Sequence, residues 1–412
     1  MLAAGSRGDV APIVALGAGL AADHDVTVIA GDDFEPLITA AGLRFSSVAV
    51  TSAELISSEL GVRWLAESSH NPVTELRRLT ALMKSGASTY ARAMAPLEGT
   101  ADLFVSGILT VECAAMLATR SGARHVCAQM SPIRPSASPA ATLQPWVRSR
   151  SSRLNLGSSR LLLAMTAGAF TFAGDELARA WGEAPPGRKG FVRAVLETPT
   201  LLGASPVVVP PPDDWPPTQV VTGYWTPPSI VGEWSAPSEV EDWLAAGPPP
   251  VYVGFGSMPS RTPEADLQVI AEAGRRTRTR LVVHSGMARL SAASTDDVLF
   301  VDHLPHAWLF PRMAGVVHHG GAGTTGAALR SGIPSVAVAH IGDQPYWARR
   351  LHELGVGPRG IRRHQLSVER LGVLIDELRS GRFSENARRI ADLARAEDGV
   401  SSAVSRINDW SR

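Results

Sequence analysis

The sequence predicts an α/β protein with two domains of similar size, each built around a mostly parallel β-sheet. Three observations predict this fold class. Strand patterns alternate with helix patterns in both halves of the chain. A proline-rich stretch separates the two halves. The length of 412 residues is enough for two or three domains.

In the first half, β-branched runs alternate with amphipathic patterns. The predicted helices are Val10–Ala22, Phe34–Ala41 and Val111–Ser121, and the predicted strands are Val26–Ala30, Phe104–Ser106 and His125–Gln129. Residues 51–100 are predicted to be mainly helical. Central parallel strands usually have about five residues. The few residues before Gly5 leave little room for a first strand, and whether further residues precede Met1 stays open.

The middle of the chain is rich in proline. Twelve of the 30 prolines fall between Pro206 and Pro250, including two runs of three. Because proline lacks a backbone donor and fixes φ, residues 206–247 are predicted to form a stiff, extended connector rather than the interior of a domain. The first domain would then span residues 1–205, and the second would begin at residue 248.

The second half repeats the alternation of strands and helices. The predicted strands are Val251–Phe255, Leu281–His284, Leu299–Val301, Ala314–His318 and Ser335–Ala339. The predicted helices are Pro263–Arg276, Ala322–Ser331, Tyr346–Leu354 and Ser384–Trp410, the last with a break near Gly399.

Composition excludes several classes of protein. Lys+Arg and Asp+Glu both number 39, and a net charge of zero argues against a dedicated nucleic-acid binder. Two cysteines, Cys113 and Cys127, cannot build a disulfide framework or a cysteine-based zinc site, so we expect a reducing compartment, the cytoplasm. All but two of the basic residues are arginine, which is typical of bacterial genes rich in GC.

No apolar run reaches the roughly 18 to 20 residues of a membrane span. The longest, Leu161–Gly174, contains two threonines. It is predicted to form a buried or interfacial helix, with an exposed site for an apolar ligand as the alternative. Residues 10–22 are not predicted to be a secretion signal, because Asp9 follows two residues after Arg7 and a strand pattern comes next. We therefore expect no stable membrane insertion.

The segment from His319 to Thr324 carries the strongest chemical signal. A strand runs into the glycine cluster His319-Gly320-Gly321-Ala322-Gly323-Thr324 and then into a helix. Glycines allow close backbone approach, and the new helix offers unpaired N–H groups, a combination suited to a diphosphate. His319 would add a charge-assisted donor and Thr324 a hydroxyl. The alternative is a tight strand–helix turn without a ligand. Neither the Walker pattern nor G-x-G-x-x-G fits.

A second polar segment, His340 to Pro345, follows the next strand. Asp343 and Gln344 each can bond two neighbouring hydroxyl groups, which suits recognition of a sugar. Ligands of open α/β sheets bind at this carboxyl edge of the strands. The alternative is that Asp343 only caps the following helix.

Together these motifs resemble the donor-binding signature of glycosyltransferase family 1. The resemblance is strongest to the bacterial branch that glycosylates antibiotic aglycones, together with the sterol glucosyltransferases. Gly5–Pro12 is similar to the opening loop of that branch, and Val253–Met258 and Leu304–Phe310 also resemble family segments. Residues 51–200 carry little of the resemblance.

The resemblance implies a GT-B fold, in which two Rossmann-like domains with parallel sheets face each other across a cleft. Residues 1–205 would bind an acceptor, residues 248–395 would bind a nucleotide-sugar, and the helix within residues 396–412 would cross back to the first domain. The resemblance also assigns the donor contacts. The diphosphate would contact Ser257, His319 and the backbone of Gly321, Ala322, Gly323 and Thr324. His306 and Trp308 would hold the base, and Asp343 and Gln344 the sugar. Ala327 stands where plant relatives carry a ribose-binding Glu, which leaves UDP and dTDP both open.

The resemblance makes Asp9 the general base that takes the proton of the acceptor hydroxyl. The alternative is a helix N-cap. His24 is a rival base by residue type, in a turn predicted to be solvated.

No metal or cofactor is predicted. Asp23-His24-Asp25 matches a metal motif of another glycosyltransferase fold, but it lies in a predicted solvated turn. Residues 318 and 319 are neighbours in a strand and point to opposite faces.

The sequence thus predicts an inverting, metal-independent hexosyltransferase that acts by direct displacement. It would move a sugar from a UDP- or dTDP-sugar to a hydroxyl of a lipophilic natural-product aglycone, as a monomer or homodimer. The alternatives are a sterol or glycolipid glucosyltransferase, a sugar-nucleotide epimerase of the same fold, and a silent nucleotide-sugar-binding protein.

Overall fold

A computed structural model of the chain contains two units, each with its own parallel sheet. It describes residues 1–51, 54–55, 58–66, 72–144, 147–226, 234–256, 258, 260, 262–287, 294–302 and 304–411. The first unit comprises residues 1–64, 69–228 and 397–412, and the second comprises residues 65–68 and 229–396.

The sheet of the first unit consists of short strands that all run parallel. They are β1 (Thr27–Ala30), β2 (Arg44–Ser47), β3 (Leu103–Ser106), β4 (Arg124–Gln129), β5 (Thr200–Leu202) and β6 (Gln219–Val221). β1 pairs with β2, and the others follow in the order β3-β4-β5-β6. Leu2 joins the two parts, because it bridges Ile29 of β1 and Ser106 of β3. The few residues before Gly5 therefore fill the place of a central strand.

Between residues 1 and 226, the described part of the chain forms eight helices in addition to these strands. In the first unit they are α1 (Arg7–Leu20), α2 (Glu35–Ala40), α3 (Glu59–Ala66), α4 (Pro72–Met94), α5 (Val111–Ser121), α6 (Arg153–Phe170), α7 (Phe172–Ala180) and α8 (Gly187–Glu197). Helix α1 begins earlier than predicted, at Arg7, with Ser6 as its N-cap residue. Asp9 is therefore the third residue of the helix, and Ser6 holds the N-cap position that the alternative gave to Asp9.

The predicted connector contains regular structure. Its described prolines lie in loops, but Gln219–Val221 forms β6 and pairs in register with β5, and Ser238–Ala245 forms a helix. Residues up to 228 belong to the first unit. The structure thus differs from the prediction of an extended segment over residues 206–247, because three residues suitable for a strand were enough to extend the sheet.

The second unit has a six-stranded parallel sheet in the order β12-β11-β10-β7-β8-β9. The strands are β7 (Val251–Gly254), β8 (Leu281–His284), β9 (Val298–Val301), β10 (Gly315–His318), β11 (Ser335–Ala339) and β12 (Ile361–Arg362). All five residues of β11 are buried, as expected for a parallel strand covered on both faces.

The remaining helices are α9 (Ser238–Ala245), α10 (Pro263–Arg276), α11 (His306–Leu309), α12 (Ala322–Ser331), α13 (Gln344–Glu353), α14 (Val368–Arg379), α15 (Ser384–Arg395) and α16 (Gly399–Ser411). Helix α16 returns to the first unit, where Ala403 and Ile407 are buried in one cluster with Val10, Val14 and Leu16. Short 3-10 turns lie at Asp32–Phe34, Ala95–Leu97, Ile108–Thr110, Pro139–Ala141, Ser285–Met287, Phe310–Arg312 and Arg363–Gln365.

Among the described residues, no single helix has both the length and the apolar composition needed to cross a bilayer. The pair α6 and α7, which bends by 48° at Thr171, meets that criterion by length and composition only.

A buried carboxyl group lies under the helices of the first unit. Glu112 of α5 is 4% exposed, and neither of its carboxyl oxygens has a hydrogen-bond partner among the described residues. Glycines make the room for it, because a Cβ at Gly174 or at Gly190 would overlap the carboxyl group. Burial, with the nearby charge of Asp175, raises the pKa of Glu112 to about 8.

This carboxyl group predicts a pH-dependent stability. Since the pKa of Glu112 is raised in the folded state from 4.5 to about 8, its contribution is fully present below pH 4.5 and is lost as pH rises towards 8. Each pH unit across that window costs up to about 1.4 kcal/mol. Glu112→Gln cannot ionise, so its free energy of unfolding should exceed that of the wild type increasingly towards pH 8.

Denaturant unfolding of both proteins across this window checks the prediction. Glu35→Gln, at an exposed glutamate of α2, is the matched control and should show no such divergence. Parallel pH profiles for wild type and Glu112→Gln would show that Glu112 is solvated.

Candidate functional site

The turn between β10 and α12 is shaped by a histidine and a glycine. The N–H of Gly320 donates to His318 Nδ1 at 3.0 Å, so this nitrogen must be unprotonated. Full burial, with His319 and His306 nearby, keeps the pKa of His318 well below its usual value. Gly320 has φ of +86°, and a Cβ there would lie 2.9 Å from the backbone oxygen of Gln344. Only glycine fits this position without strain.

His319 lies directly over the glycine backbone. A Cβ at Gly321 would overlap His319 Nε2, and a Cβ at Gly256, just after β7, would lie 3.1 Å from His319 Cε1. The buried Nδ1 of His319 has no hydrogen-bond partner among the described residues. The loops after β7 and β10 therefore bring an imidazole ring between two glycines at the carboxyl edge of the sheet.

The His319 ring is uncharged near neutral pH in this structure. Burial, with His340 and His284 nearby, lowers the pKa of His319 to about 4. A bond from this ring to a diphosphate would still be charge-assisted, because the acceptor is an anion. A neutral imidazole still donates one N–H, and an anion beside it would favour the protonated form.

Helix α12 begins at the same point. Gly321 is its N-cap residue, and no side chain in the described part of the chain caps it. The N–H groups of Ala322, Gly323 and Thr324 therefore have no acceptor within the helix, and they carry the positive end of its dipole. The first helical bond runs from Thr325 N–H to Gly321 O at 2.9 Å. These groups and His319 lie together at the place where the sequence predicts an anion site.

The side chain of Gln344 forms hydrogen bonds within the loop that joins β11 and α13. It is 5% exposed, and its Oε1 accepts from the N–H groups of His340 at 2.7 Å and Ile341 at 3.1 Å. Its backbone oxygen is the group that a Cβ at Gly320 would meet. The structure thus places Gln344 beside the glycine turn, with its carboxamide oxygen already in use.

Asp343 is half-buried at the N-cap position of α13, where its side chain makes no capping bond. Its Oδ2 instead accepts from the indole N–H of Trp347 at 2.8 Å. Trp347 is fully buried, so this bond fixes the direction of the carboxylate.

His306 and Trp308 lie on the short helix α11. The His306 ring stacks on Phe310, with centroids 4.3 Å apart, and meets Tyr252 edge-on at 6.0 Å. The guanidinium of Arg312 lies 4.2 Å from the centre of the Trp308 ring, and Trp234 meets that ring edge-on at 5.4 Å. The rings of both predicted base-binding residues are therefore packed against neighbouring side chains. Ser257 lies outside the described residues.

Asp9 is half-buried in the first turn of α1. Its Oδ2 accepts from the N–H of Ser6 at 2.8 Å and from the hydroxyl of Ser6 at 2.9 Å. Burial, with the nearby charges of Asp33 and Asp9, raises the pKa of Tyr90 to about 12, which places the Tyr90 phenol close to Asp9. The rival base His24 is exposed and contacts Asn408 at 2.9 Å.

Several residues near the site were missed by sequence reasoning. His318 was considered only as a metal ligand, although a histidine two residues before a glycine can accept its N–H. Trp347 lies four residues after Asp343, which is one helical turn and a readable signal. Tyr90 carries no local signal, because α4 is far from Asp9 in sequence. No group of three or more metal-ligating His, Cys, Asp or Glu side chains occurs among the residues with described positions.

Comparison with known proteins connects this site to one family. Residues 269–406 match the family model described as the C-terminal domain of erythromycin biosynthesis protein CIII-like proteins. The whole chain aligns over 439 residues with O-mycaminosyltylonolide 6-deoxyallosyltransferase of Streptomyces fradiae, at 31% identity and with 96% of that protein covered. The chain belongs to glycosyltransferase family 1, in its antibiotic branch.

This glycosyltransferase family member also has plant relatives. It is 40% identical over 202 residues to one sterol 3-beta-glucosyltransferase of Arabidopsis thaliana and 37% identical over 214 residues to a second. These alignments cover 48% and 51% of the chain but 32% and 35% of the plant proteins, so the chain spans about a third of the length of these relatives.

Solved structures share the fold. The glycosyltransferase VinC in complex with dTDP has a TM-score of 0.65 at 21% identity, with 100% of this chain and 98% of that one covered. The kitacinnamycin glycosyltransferase has a TM-score of 0.67 at 18% identity, with 99% and 97% covered. The predicted GT-B fold class is confirmed.

The contact between His319 and the glycine turn predicts a steric effect. Gly321 has φ of −64°, so alanine is allowed by the backbone, but its Cβ would displace the His319 ring. Gly321→Ala should therefore weaken binding of UDP and dTDP by about tenfold or more, the worth of one hydrogen bond to a charged group, with little loss of thermal stability.

Titration calorimetry and thermal melting check this prediction. Gly372→Ala is the matched control, because its Cβ would make only an ordinary contact at 3.5 Å. Unchanged nucleotide affinity in Gly321→Ala would place the diphosphate elsewhere.

Proposed function

We propose that this family 1 member is an inverting glycosyltransferase that needs no metal ion or other cofactor. It moves a sugar from a dTDP- or UDP-sugar to a hydroxyl of a lipophilic natural-product aglycone, in the cytoplasm. The observation that carries the proposal is the glycine turn after β10, with His319 over it and the uncapped start of α12 beside it. The relatives reported above, which include a macrolide deoxysugar transferase, support sugar transfer as the reaction.

The donor diphosphate would be held by backbone N–H groups of α12 and by the His319 ring. A diphosphate brings negative charge next to an imidazole that is neutral at pH 7, and it raises the pKa of that imidazole. His319 would then donate as a charged group when the diphosphate leaves. Preorganised donors of this kind stabilise a departing anion without a metal ion.

The sugar would be recognised by Asp343, because Trp347 holds one of its carboxylate oxygens and so sets its direction. Gln344 would donate a hydrogen bond to the sugar from its side-chain amide nitrogen, because its side-chain oxygen already accepts from two backbone N–H groups. At the ribose, Ala327 packs against the apolar cluster of the second unit and offers no hydrogen bond. This fits both dTDP and UDP.

The reaction would be a single displacement. The carboxylate of Asp9 takes the proton of the acceptor hydroxyl while the hydroxyl oxygen attacks C1 of the sugar. The bond between C1 and the diphosphate oxygen breaks, and the diphosphate leaves with the electron pair. One displacement inverts the configuration at C1. The bonds from Ser6 to Oδ2 would hold Asp9 in position.

A sterol acceptor is the second candidate. It is favoured by the two plant sterol glucosyltransferases, which share more identity with half of this chain than the macrolide enzyme shares with all of it. The two candidate functions differ only in the acceptor that the first unit would bind, so the donor chemistry is the same in both.

The buried free thiols of Cys113 and Cys127 support a reducing compartment.

Nucleotide release from dTDP-glucose and UDP-glucose, with a polyketide aglycone or a sterol as acceptor, tests the proposed function. We expect inverted product and a rate that a chelator does not change. Asp9→Asn should lower transfer by roughly 10² to 10⁴, the usual worth of a general base. Affinity for the nucleotide-sugar should be unchanged, because the donor residues belong to the second unit.

Asp9→Ala is the companion variant. Asn keeps an oxygen that can accept from Ser6, whereas Ala does not, so only Ala should lose about 1 kcal/mol of stability, the usual worth of a hydrogen bond. Near wild-type transfer by Asp9→Asn would reject Asp9 as the base. Absence of nucleotide release with every donor would reject the enzyme and favour a silent binding protein.

A further inference from the structure

The outer face of α6 carries large apolar side chains that are exposed in the described part of the protein. Six large apolar side chains are exposed in the described part of the chain, and three of them lie on this helix: Leu154 at 62%, Leu161 at 60% and Met165 at 44%. They are spaced by seven and four residues, so they form one stripe along the helix.

The opposite face of α6 is fixed to the first unit. Leu163 and Ala167 are buried in one cluster with Val111, Cys127 and Phe191. Leaving this cluster would expose its apolar surface to water, so α6 stays at the surface of the unit with its stripe outward.

Arginines border the stripe. Between Glu112 and Asp175 the sequence has seven arginines, no lysine and no acidic residue. Four of the arginines, at positions 148, 150, 153 and 160, are exposed on or just before α6. The ion pairs seen among the described residues do not involve these four. Arg153 and Arg160 each precede a leucine of the stripe, about 100° away around the helix.

We propose that this face of α6 docks the protein on an anionic lipid bilayer. A helix that lies in the plane of a bilayer surface has an apolar face bordered by basic residues, as α6 has. The arginine stems can lie along the acyl boundary while their guanidinium groups reach the phosphates. Since the net charge of the chain is zero, the attraction arises from this segment rather than from the whole protein.

Charge argues against a second copy as the occupant. In a symmetric dimer the same patch would face itself, so the four exposed arginines of one protomer would meet the same four of the other. A bilayer that contains acidic lipids offers opposite charge and apolar depth together. The docking does not rest on the proposed function. It would nevertheless place the first unit at the membrane, where a lipophilic acceptor dissolves.

Flotation of the full chain with vesicles tests the proposal. The vesicles are phosphatidylcholine alone, and phosphatidylcholine mixed equally with phosphatidylglycerol. We expect binding to the mixed vesicles at low salt, much weaker binding to phosphatidylcholine, and release at high salt. Arg153→Gln with Arg160→Gln should weaken binding about fivefold for each arginine removed. Leu154→Gln with Leu161→Gln should weaken it about tenfold or more.

Leu393→Gln with Arg389→Gln is the matched control, at an exposed leucine and arginine on α15. It should bind the mixed vesicles like the wild type. All these side chains are exposed, so melting temperatures should agree, and the single leucine variants replace any double variant that does not fold.

Failure of the wild type to float with the mixed vesicles would overturn the proposal. Equal flotation of the α6 variants and the control would also overturn it. Loss of a dimer in the leucine variants, measured by sedimentation without any vesicle binding, would show that a second copy covers the stripe. Because flotation needs neither donor nor acceptor, these outcomes are independent of the test of sugar transfer.

Discussion

The donor half of the site depends on how closely the backbone turns between β10 and α12. Gly320 takes a positive φ, its N–H is held by His318, and a side chain there would collide with the backbone of Gln344. The turn thus ties the end of β10 to the loop after β11. It also brings the first N–H groups of α12 and the ring of His319 together at the carboxyl edge of the sheet. The proposed diphosphate site and the proposed sugar-binding loop therefore lie next to each other, since Gly320 is close to the backbone of Gln344.

Burial at this turn sets the electrostatics of the site. A charged imidazole at His319 would be costly without an anion, since burial, with other histidines nearby, lowers its pKa to about 4. A bound diphosphate, as proposed, would raise the pKa of His319 and let the ring donate as a charged group.

The sequence predicts what is local and misses what depends on distant packing. The glycine cluster and His319 were predicted because strand, turn and helix adjoin in sequence. The sequence does not show that the side-chain oxygen of Gln344 accepts from the N–H groups of His340 and Ile341, just after β11, because this depends on how the loop folds back onto α13. The start of α1 was misjudged by three residues, since Gly8 weakens the helical pattern of its first turn. The short strand β6 was not predicted, because prolines are frequent on both sides of it. Nothing local marks Tyr90 as a neighbour of Asp9.

Titration calorimetry of dTDP and UDP with the wild type and His319→Ala tests the central claim most directly. We predict that His319→Ala weakens the binding of both nucleotides by about ten- to a hundredfold, the usual cost of losing a hydrogen bond to a charged group. We also predict that the wild type takes up a proton on binding, seen as a heat that changes with the buffer, and that the variant does not. Equal affinities, with no difference in proton uptake, would contradict the assignment of His319 to the diphosphate.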